Sequence, residues 1–294
     1  MTLARFPHLA QRLFNVPLAI TPDKAEIVVA ALADRLGVAR LFRVNGEAVA
    51  LQQQASFDNA GPSHADPYAK RGYDLVGPVA VVPVEGTLVQ KLGTLRPYSG
   101  MTGYDGIRQN IGVALEDPNV EAIALDIDSP GGEVAGCFDL VDAIYASRGR
   151  KPIWALLDES ACSAAYAIAS AADKIALPRT GFAGSIGVVA MHVDWSQALA
   201  KEGIAVTFIQ YGARKTDGAS EKPLSDDARA RAQKDVDAMG ELFVATVARN
   251  RGLSADKVRA TEAGVYLGAA AIEQGLADVV LPPDAALSEL VSSL

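Results

Sequence analysis

The hydrophobic pattern of residues 79–178 alternates between two kinds of segment. Short apolar runs, which are typical of buried strands, are separated by segments whose apolar residues recur at helical spacing. The pattern predicts strands over 79–88, 120–127, 152–158 and 174–178, and helices over 104–117, 133–147 and 163–172. Because strands that alternate with helices form parallel βαβ units, the sequence predicts an α/β fold.

The first 74 residues follow a different pattern. Residues 21–37 predict one helix, with Thr21 as N-cap, Pro22 at the first helical position and Gly37 at the end. Residues 52–74 are polar and aperiodic, which is typical of a linker or an exposed loop. We therefore predict a helical N-terminal appendage over 1–51, a linker over 52–74 and a main domain over 75–294.

Three polar loops follow predicted strands at their carboxyl ends. "DSPGGE" follows the strand over 120–127 and "ESACS" follows the strand over 152–158. "YGARKTDG" follows the apolar run "VTFIQ" (206–210), which we interpret as a further strand. Ligands of open α/β sheets bind at this edge, so we expect the functional site there.

The paired glycines of "SPGG", Gly131 and Gly132, suit an anion site, because they let backbone N–H groups converge without obstruction by a Cβ. The alternative is a glycine-rich helix entry that serves tight packing alone. The sequence has no GxxxxGK[ST] phosphate loop, so the anion that fits best is a transient oxyanion.

Ser163 lies in a run of small apolar residues, "ACSAAYAIAS", and is a candidate nucleophile at a helix start. The alternative is a helical serine that bonds back to a carbonyl one turn earlier. A nucleophilic serine needs a base, and none of the three histidines follows a predicted site loop, although His192 stays an alternative. Lys215, after a predicted strand, is the preferred base.

A lysine base must be neutral, and burial among small apolar residues favours the neutral amine. The runs "FAGSIGVV" and "ACSAAY" contain no carboxylate and would supply such surroundings. Ser185, in "GSIG", is placed to orient the amine through one hydrogen bond. The alternative for Ser185 is an ordinary turn serine.

Composition excludes several classes of function. The formal net charge of −8 and the isoelectric point near 5.0 argue against a nucleic-acid partner. The longest uncharged run, residues 180–193, is shorter than the roughly 20 residues of a spanning helix, so we expect no membrane insertion and a cytoplasmic protein. The two cysteines, Cys137 and Cys162, lack metal-ligand spacing; we expect inert buried thiols, no metal and no cofactor.

Four motifs together carry a family resemblance. "DIDSPGG", "ACSAAYAIASAADKI", "GSIGV" and "GARKTDG", in that order, resemble the signal peptide peptidase A family of Ser-Lys peptidases. The resemblance covers residues 75–282 and implies a ClpP/crotonase-like fold of repeated ββα units. Two further stretches, "VAVVPVEGTLVQKLGTLRPYSGMTGYDGI" and "LGAAAIEQGLAD", resemble the capsid-assembly (head maturation) proteases of lambda-like tailed phages.

The resemblance also implies roles for individual residues. It places the nucleophile on Ser163, the general base on Lys215 and the lysine-orienting serine on Ser185. The oxyanion donors fall on the backbone of Gly131 or Gly132 and on that of the residue after the nucleophile, Ala164. Cellular members often have Gly-Gly after the nucleophile, whereas this chain has Ala-Ala, which affects the expected pocket shape and not the roles.

We therefore expect a serine endopeptidase that acts on polypeptides, with capsid scaffold or portal proteins as candidate substrates. The resemblance further implies a homo-oligomer that works in the bacterial host cytoplasm or inside the procapsid. One alternative is a cellular peptidase for signal peptides or membrane-protein quality control. Another is a non-catalytic protein that binds the capsid scaffold.

Overall fold

The structure is a computed structural model that describes residues 17–21, 41–42, 48–49 and 71–294. Contacts divide these residues into two compact units. The larger unit contains residues 19–21, 71–187 and 241–294, and the smaller unit contains residues 17–18, 41–42, 48–49 and 188–240. Apart from Thr21, the predicted helix over 21–37 lies outside the described residues, as does the predicted linker up to residue 70. The predicted domain boundaries stay predictions.

The strands and helices are numbered in chain order over the described residues. The strands are β1 (Pro17–Ile20), β2 (Leu41–Phe42), β3 (Ala48–Val49), β4 (Asp74–Val76), β5 (Val79–Val89), β6 (Met101–Gly103), β7 (Ala122–Glu133), β8 (Ile153–Cys162), β9 (Lys174–Leu177), β10 (Phe182–Gly184), β11 (Val189–Ala190), β12 (Val265–Leu267) and β13 (Val279–Val280). The helices are α1 (Tyr104–Glu116), α2 (Cys137–Ala146), α3 (Ala164–Ser170), α4 (Ser196–Lys201), α5 (Asp226–Arg251), α6 (Ala255–Arg259), α7 (Ala269–Glu273) and α8 (Pro283–Ser292).

A parallel sheet forms the centre of the larger unit. Strand β7 lies between β5 and β8 and pairs in parallel with both. On its other edge, β5 pairs with β4 near its amino end and with β6 near its carboxyl end. The other edge of β8 likewise pairs with β9 near its amino end and with β10 near its carboxyl end. Helices α1, α2 and α3 follow β6, β7 and β8 in turn, so the α/β class predicted from the sequence is confirmed.

Both faces of the central strands are buried near their amino ends. On one face, Ala122 and Ala124 of β7 pack with Leu290 of helix α8. The residues that alternate with them, Ile123 and Leu125, point to the opposite face and are also fully buried. Burial on both faces explains why the strand has a continuous apolar sequence, as parallel strands do.

Two predicted loops and one predicted strand differ from the structure. Strand β7 continues through "DSPGGE", because Gly131 and Gly132 pair with Thr87 and Leu88 of β5. Strand β8 likewise continues through "ESAC", where Ser160–Cys162 pair with β10. The predicted strand over 206–210 was wrong: these residues are exposed and have no ladder partner in the described part of the chain. An isolated extended segment cannot satisfy its backbone groups by sheet pairing.

The smaller unit contains one short antiparallel pairing near its amino end, in which Pro17 and Leu18 face Ala190 and Val189. A second antiparallel pair joins β2 to β3. In the described ranges no helix has the length and apolar character needed to cross a membrane.

Candidate active site

Ser163 lies at the junction between strand β8 and helix α3, in a conformation that L-residues rarely adopt. Its backbone has φ 55° and ψ −121°, and its residue surface is 1% exposed. The N–H of Ser163 donates to the carbonyl of Gly184 at 2.8 Å, and its carbonyl accepts from the N–H of Ala167 at 2.9 Å. Such strain costs on the order of 1–3 kcal/mol and clusters at functional sites. The helical-serine alternative is therefore wrong, because Ser163 precedes the helix.

The residues around this junction are small because space is short. Helix α3 is buried along its whole length, and four of its seven residues are alanines. Ala164 is its first residue, so the N–H of Ala164 has no acceptor within the helix. The Ser163 hydroxyl donates to the carbonyl of Gly187 at 3.4 Å, a long hydrogen bond that is easily exchanged for another.

The pair of glycines predicted as an oxyanion site lies at the end of β7 and adjoins Ser163. Gly131 has φ +105°, and a Cβ built on it would collide with the Ala19 carbonyl oxygen and lie 2.9 Å from the Ser163 Cβ. A side chain on Gly132 would collide with the Leu88 carbonyl oxygen. Both glycines are thus required by close approach, and an added Cβ on Gly131 would also lie beside Ser163.

The N–H of Gly131 already has a partner. It donates to the hydroxyl of Ser129 at 3.1 Å, and this hydroxyl donates to the carbonyl of Gly86 at 2.7 Å. Ser129 is buried, with 1% of its surface exposed. Ser129 therefore holds the Gly131 N–H in place, and an oxyanion, which is a stronger acceptor than a neutral hydroxyl, would share this N–H with Ser129.

Ser185 lies in the segment that supports Ser163. It also has a positive φ, 56°, and is 8% exposed. Its N–H donates to the carbonyl of Gly264 at 2.8 Å. Its neighbours Gly184 and Gly187 supply the two carbonyls that accept from Ser163. The structure therefore places Ser185 in the segment that contacts Ser163.

Lys215 belongs to the smaller unit and lies exposed in a turn. Its backbone N–H donates to the carbonyl of Gly212 at 3.1 Å. The strand expected before it is absent, as described above. The residues of its own unit therefore do not supply the burial that a neutral lysine requires. The role of Lys215 as a base stays a prediction.

His192, the alternative base, also belongs to the smaller unit. It lies near Asp194, whose pKa is lowered mainly by hydrogen bonds from Ser196 and to a lesser degree by the His192 charge. The carboxylate that His192 lies near therefore belongs to the same unit.

A cavity that the sequence did not indicate opens beside the junction. It has a volume of about 730 Å³ and lies in the larger unit. Its walls carry four carboxylates and the residues that precede Gly131 and Ser163. The lining residues that matter here are Glu85, Asp126, Asp128, Asp158, Pro130 and Cys162.

The carboxylates share one sheet face, the same face that is apolar nearer the amino ends of the strands. Asp126 and Asp128 continue the alternation of Ala122 and Ala124 along β7, past the cover of helix α8. Burial raises the pKa of Asp126 to about 6, with further contributions from Asp158, Glu85 and Asp128. The face therefore changes from a packed core to an acidic cavity wall.

The two cysteines are free and buried, as expected. Burial raises the pKa of Cys137 to about 12. Burial, followed by the charge of Asp128, raises the pKa of Cys162 to about 11. Both thiols are therefore protonated near neutral pH and are poor nucleophiles, although Cys162 adjoins Ser163.

A strained serine at a strand–helix junction, beside a pair of glycines, has the geometry expected of a serine-hydrolase nucleophile. The model of peptidase family S49 matches residues 146–293. The head-tail preconnector protein GP5 of Enterobacteria phage P21 is 41% identical over 294 residues. Capsid assembly protease C of Escherichia phage lambda is 40% identical over 298 residues. The chain belongs to peptidase family S49, which confirms the family predicted from its motifs.

These alignments cover nearly the whole of this chain, 98% and 99% of it. They cover only 57% of the P21 protein and 67% of the lambda protein. Among solved structures, a ClpP1 mutant from Listeria monocytogenes matches with a TM-score of 0.43 and 14% identity, over 68% of this chain and 90% of that one.

Proposed function

We propose that the chain is a serine endopeptidase that cuts capsid-associated proteins during phage head assembly. The observation that carries this proposal is the strained, buried Ser163 beside Gly131, in a chain that is 40% identical to a capsid assembly protease. A cellular signal peptide peptidase, that of Enterococcus faecium, is 28% identical and covers 60% of the chain. The phage function is therefore preferred over the cellular one.

In the proposed mechanism, the neutral amine of Lys215 removes the proton from the Ser163 hydroxyl. The Ser163 oxygen leaves its bond to the Gly187 carbonyl and attacks the carbonyl carbon of the substrate. The resulting oxyanion accepts hydrogen bonds from the N–H groups of Ala164 and Gly131. Ser185 orients the amine, as the resemblance implies.

The Lys215 ammonium then donates its proton to the leaving amine, and the peptide bond breaks to leave an ester on Ser163. Water attacks this ester with Lys215 again as base, and the acid product and free Ser163 result. Since the turn that carries Lys215 is exposed within its own unit, groups from outside that unit must cover the amine. No metal or cofactor takes part in these steps.

We also propose that the chain forms homo-oligomers. Phe182 of β10 and Leu267 of β12 pair across neighbouring strands and are 41% and 47% exposed, and Val265 beside them is 45% exposed. These three side chains form an apolar patch of the kind that self-association covers. Sedimentation should show a species larger than a monomer at micromolar concentration, and a monomer throughout would contradict this part.

The peptidase proposal is tested by co-expression with the capsid, portal and scaffold proteins of a lambda-like phage. We expect specific cleavage of at least one of them in the bacterial cytoplasm or in procapsids, mapped by N-terminal sequencing. Ser163→Ala should abolish cleavage and leave thermal unfolding nearly unchanged, because it removes one oxygen. Cleavage by a folded Ser163→Ala variant would refute the proposal.

A further inference from the structure

An extended piece of the chain itself lies beside the nucleophile. The N–H of Thr21 donates to the carbonyl of Pro130 at 3.1 Å, next to the pair of glycines. The carbonyl oxygen of Ala19 occupies the space where a Cβ on Gly131 would be. The same point is 2.9 Å from the Ser163 Cβ, so the Ala19 carbonyl and the nucleophile flank one glycine.

Residues 19–21 belong to the larger unit, and the first two of them are buried. Ala19 is 1% exposed and Ile20 is 6% exposed. Thr21 lines the acidic cavity together with Pro130 and Cys162. Main-chain hydrogen bonding by an extended segment, with small side chains filling the space beside it, is how peptide strands are bound at sheet edges.

We propose that residues 19–21 are an internal ligand of the peptide-binding site and compete with peptide substrates. This inference rests on the proposed peptidase function. The site that they fill takes an extended peptide with a small apolar residue against Gly131. Substrate gains access to Ser163 when the segment leaves, so the segment sets the apparent affinity for substrate.

The segment is an occupant and not a cleavage site, because its carbonyl is not held for attack. The N–H of Gly131 donates to the Ser129 hydroxyl and not to the Ala19 oxygen. A carbonyl that awaits attack has its oxygen at the oxyanion donors. The Ala19 oxygen lies instead against the Cα side of Gly131.

The test is peptide binding in a Ser163→Ala background, where no turnover interferes. The probe is a fluorescein-labelled peptide with the sequence of residues 17–22, PLAITP, followed by fluorescence anisotropy. Thr21→Pro removes the donor to Pro130, and Thr21→Val is the matched control that keeps it. Ile20→Asp places a charge on a buried position and displaces the segment more strongly.

We expect Thr21→Pro to tighten binding of the probe by about fivefold, since one hydrogen bond of the competitor is lost. Ile20→Asp should tighten it by tens of fold, and Thr21→Val should leave it unchanged. Equal affinity in all variants, weaker affinity in Thr21→Pro, or no saturable binding in any variant would each overturn the proposal. If Ile20→Asp does not fold, the comparison of Thr21→Pro with Thr21→Val tests the proposal without it.

Two further readouts separate this inference from the proposed function. In the Ser163-intact chain, Thr21→Pro should lower KM for a peptide substrate and leave kcat nearly unchanged. Intact-mass analysis should show no product that begins at Ile20, and such a product would make the segment a substrate and overturn the proposal. Failure of all cleavage would refute the peptidase function, while the binding result would still be interpretable.

Discussion

Ser163 and Lys215 belong to regions that are built in opposite ways. Ser163 is 1% exposed, and hydrogen bonds from both sides fix its backbone. Lys215 lies in an exposed turn, and its backbone N–H bonds only three residues back, to Gly212. The larger unit therefore preorganises the proposed nucleophile and the proposed oxyanion donors. The chemistry assigned to the lysine depends on desolvation from outside its own unit.

The largest effect is expected at Lys215. Lys215→Arg and Lys215→Ala should each lower kcat by about 10²–10⁴, because an arginine stays protonated and an alanine has no base. Lys201→Arg, on an exposed position of helix α4 in the same unit, is the matched control and should retain normal activity. Normal turnover by Lys215→Arg would remove Lys215 from the mechanism, and His192→Ala would then be the next variant to assay.

The proposed role of the Gly131 backbone in binding the oxyanion is tested by substitution with alanine. Gly131→Ala should reduce kcat by about 10²-fold, because the new Cβ displaces the backbone that faces Ser163. Gly149→Ala is the control: Gly149 also has a positive φ, 81°, but has no atom within 4 Å of an added Cβ. Gly149→Ala should lose about 1 kcal/mol of unfolding free energy from backbone strain, and Gly131→Ala should lose more, because its Cβ also collides with the Ala19 carbonyl oxygen. Equal kinetics in the two would show that the Gly131 backbone does not serve catalysis.

A smaller effect is expected at Ser129, which positions the Gly131 N–H. Ser129→Ala should lower kcat by about tenfold with little change in KM, because it removes an orienting hydrogen bond and no reacting group. Ser170→Ala is the control, since Ser170 is equally buried and also makes two hydrogen bonds, with Ala167 and Asn250. It should lose stability without loss of kcat. A matching fall in kcat there would mean that Ser129 has a structural role alone.

The smallest effect concerns pH and the acidic cavity. The pKa of Asp126 is raised from 3.8 to about 6, so the folded chain binds this proton more tightly than the unfolded chain. Its contribution to stability is present at low pH and is lost as pH rises through about 6. Asp126→Asn should therefore raise the unfolding free energy by about 1–2 kcal/mol at pH 7.5 and leave it nearly unchanged at pH 4.

Urea unfolding at a series of pH values measures this change. Asp235→Asn, an exposed position of helix α5, is the control and should show no such difference. Stabilisation of the same size at both pH values would assign the effect to packing and not to titration.

The central strands could be predicted because burial on both faces gives them long apolar runs. The ends of β7 and β8 could not, because Pro130, Gly131 and Gly132 are typical of a loop and their pairing with Thr87 and Leu88 is a tertiary contact. The prediction of a strand over 206–210 was wrong for the opposite reason. Its composition suits a strand, but the described chain offers it no partner.

Ser163, Ser185 and Gly131 could be predicted as neighbours from the motifs, and the structure places Gly131 and the segment that contains Ser185 beside Ser163. The acidic cavity was missed, because isolated carboxylates such as Glu85 and Asp158 are typical of any surface. The alternation Asp126-x-Asp128 after an apolar strand was the available signal. The occupant at residues 19–21 lies more than 100 residues from Gly131 in the chain, and no local pattern indicates such a contact.

Trapping of the acyl-enzyme tests the Ser163–Lys215 account most directly. A slowly hydrolysed peptide ester is mixed with the protein, quenched in acid and analysed by intact mass and peptide mapping over a range of pH. We expect a single acyl adduct on Ser163 that forms faster as pH rises, since only a neutral amine accepts the hydroxyl proton, and that forms at least about 100-fold more slowly in Lys215→Ala. An adduct on another residue, or one that forms on Ser163 at the same rate without Lys215, would contradict the account.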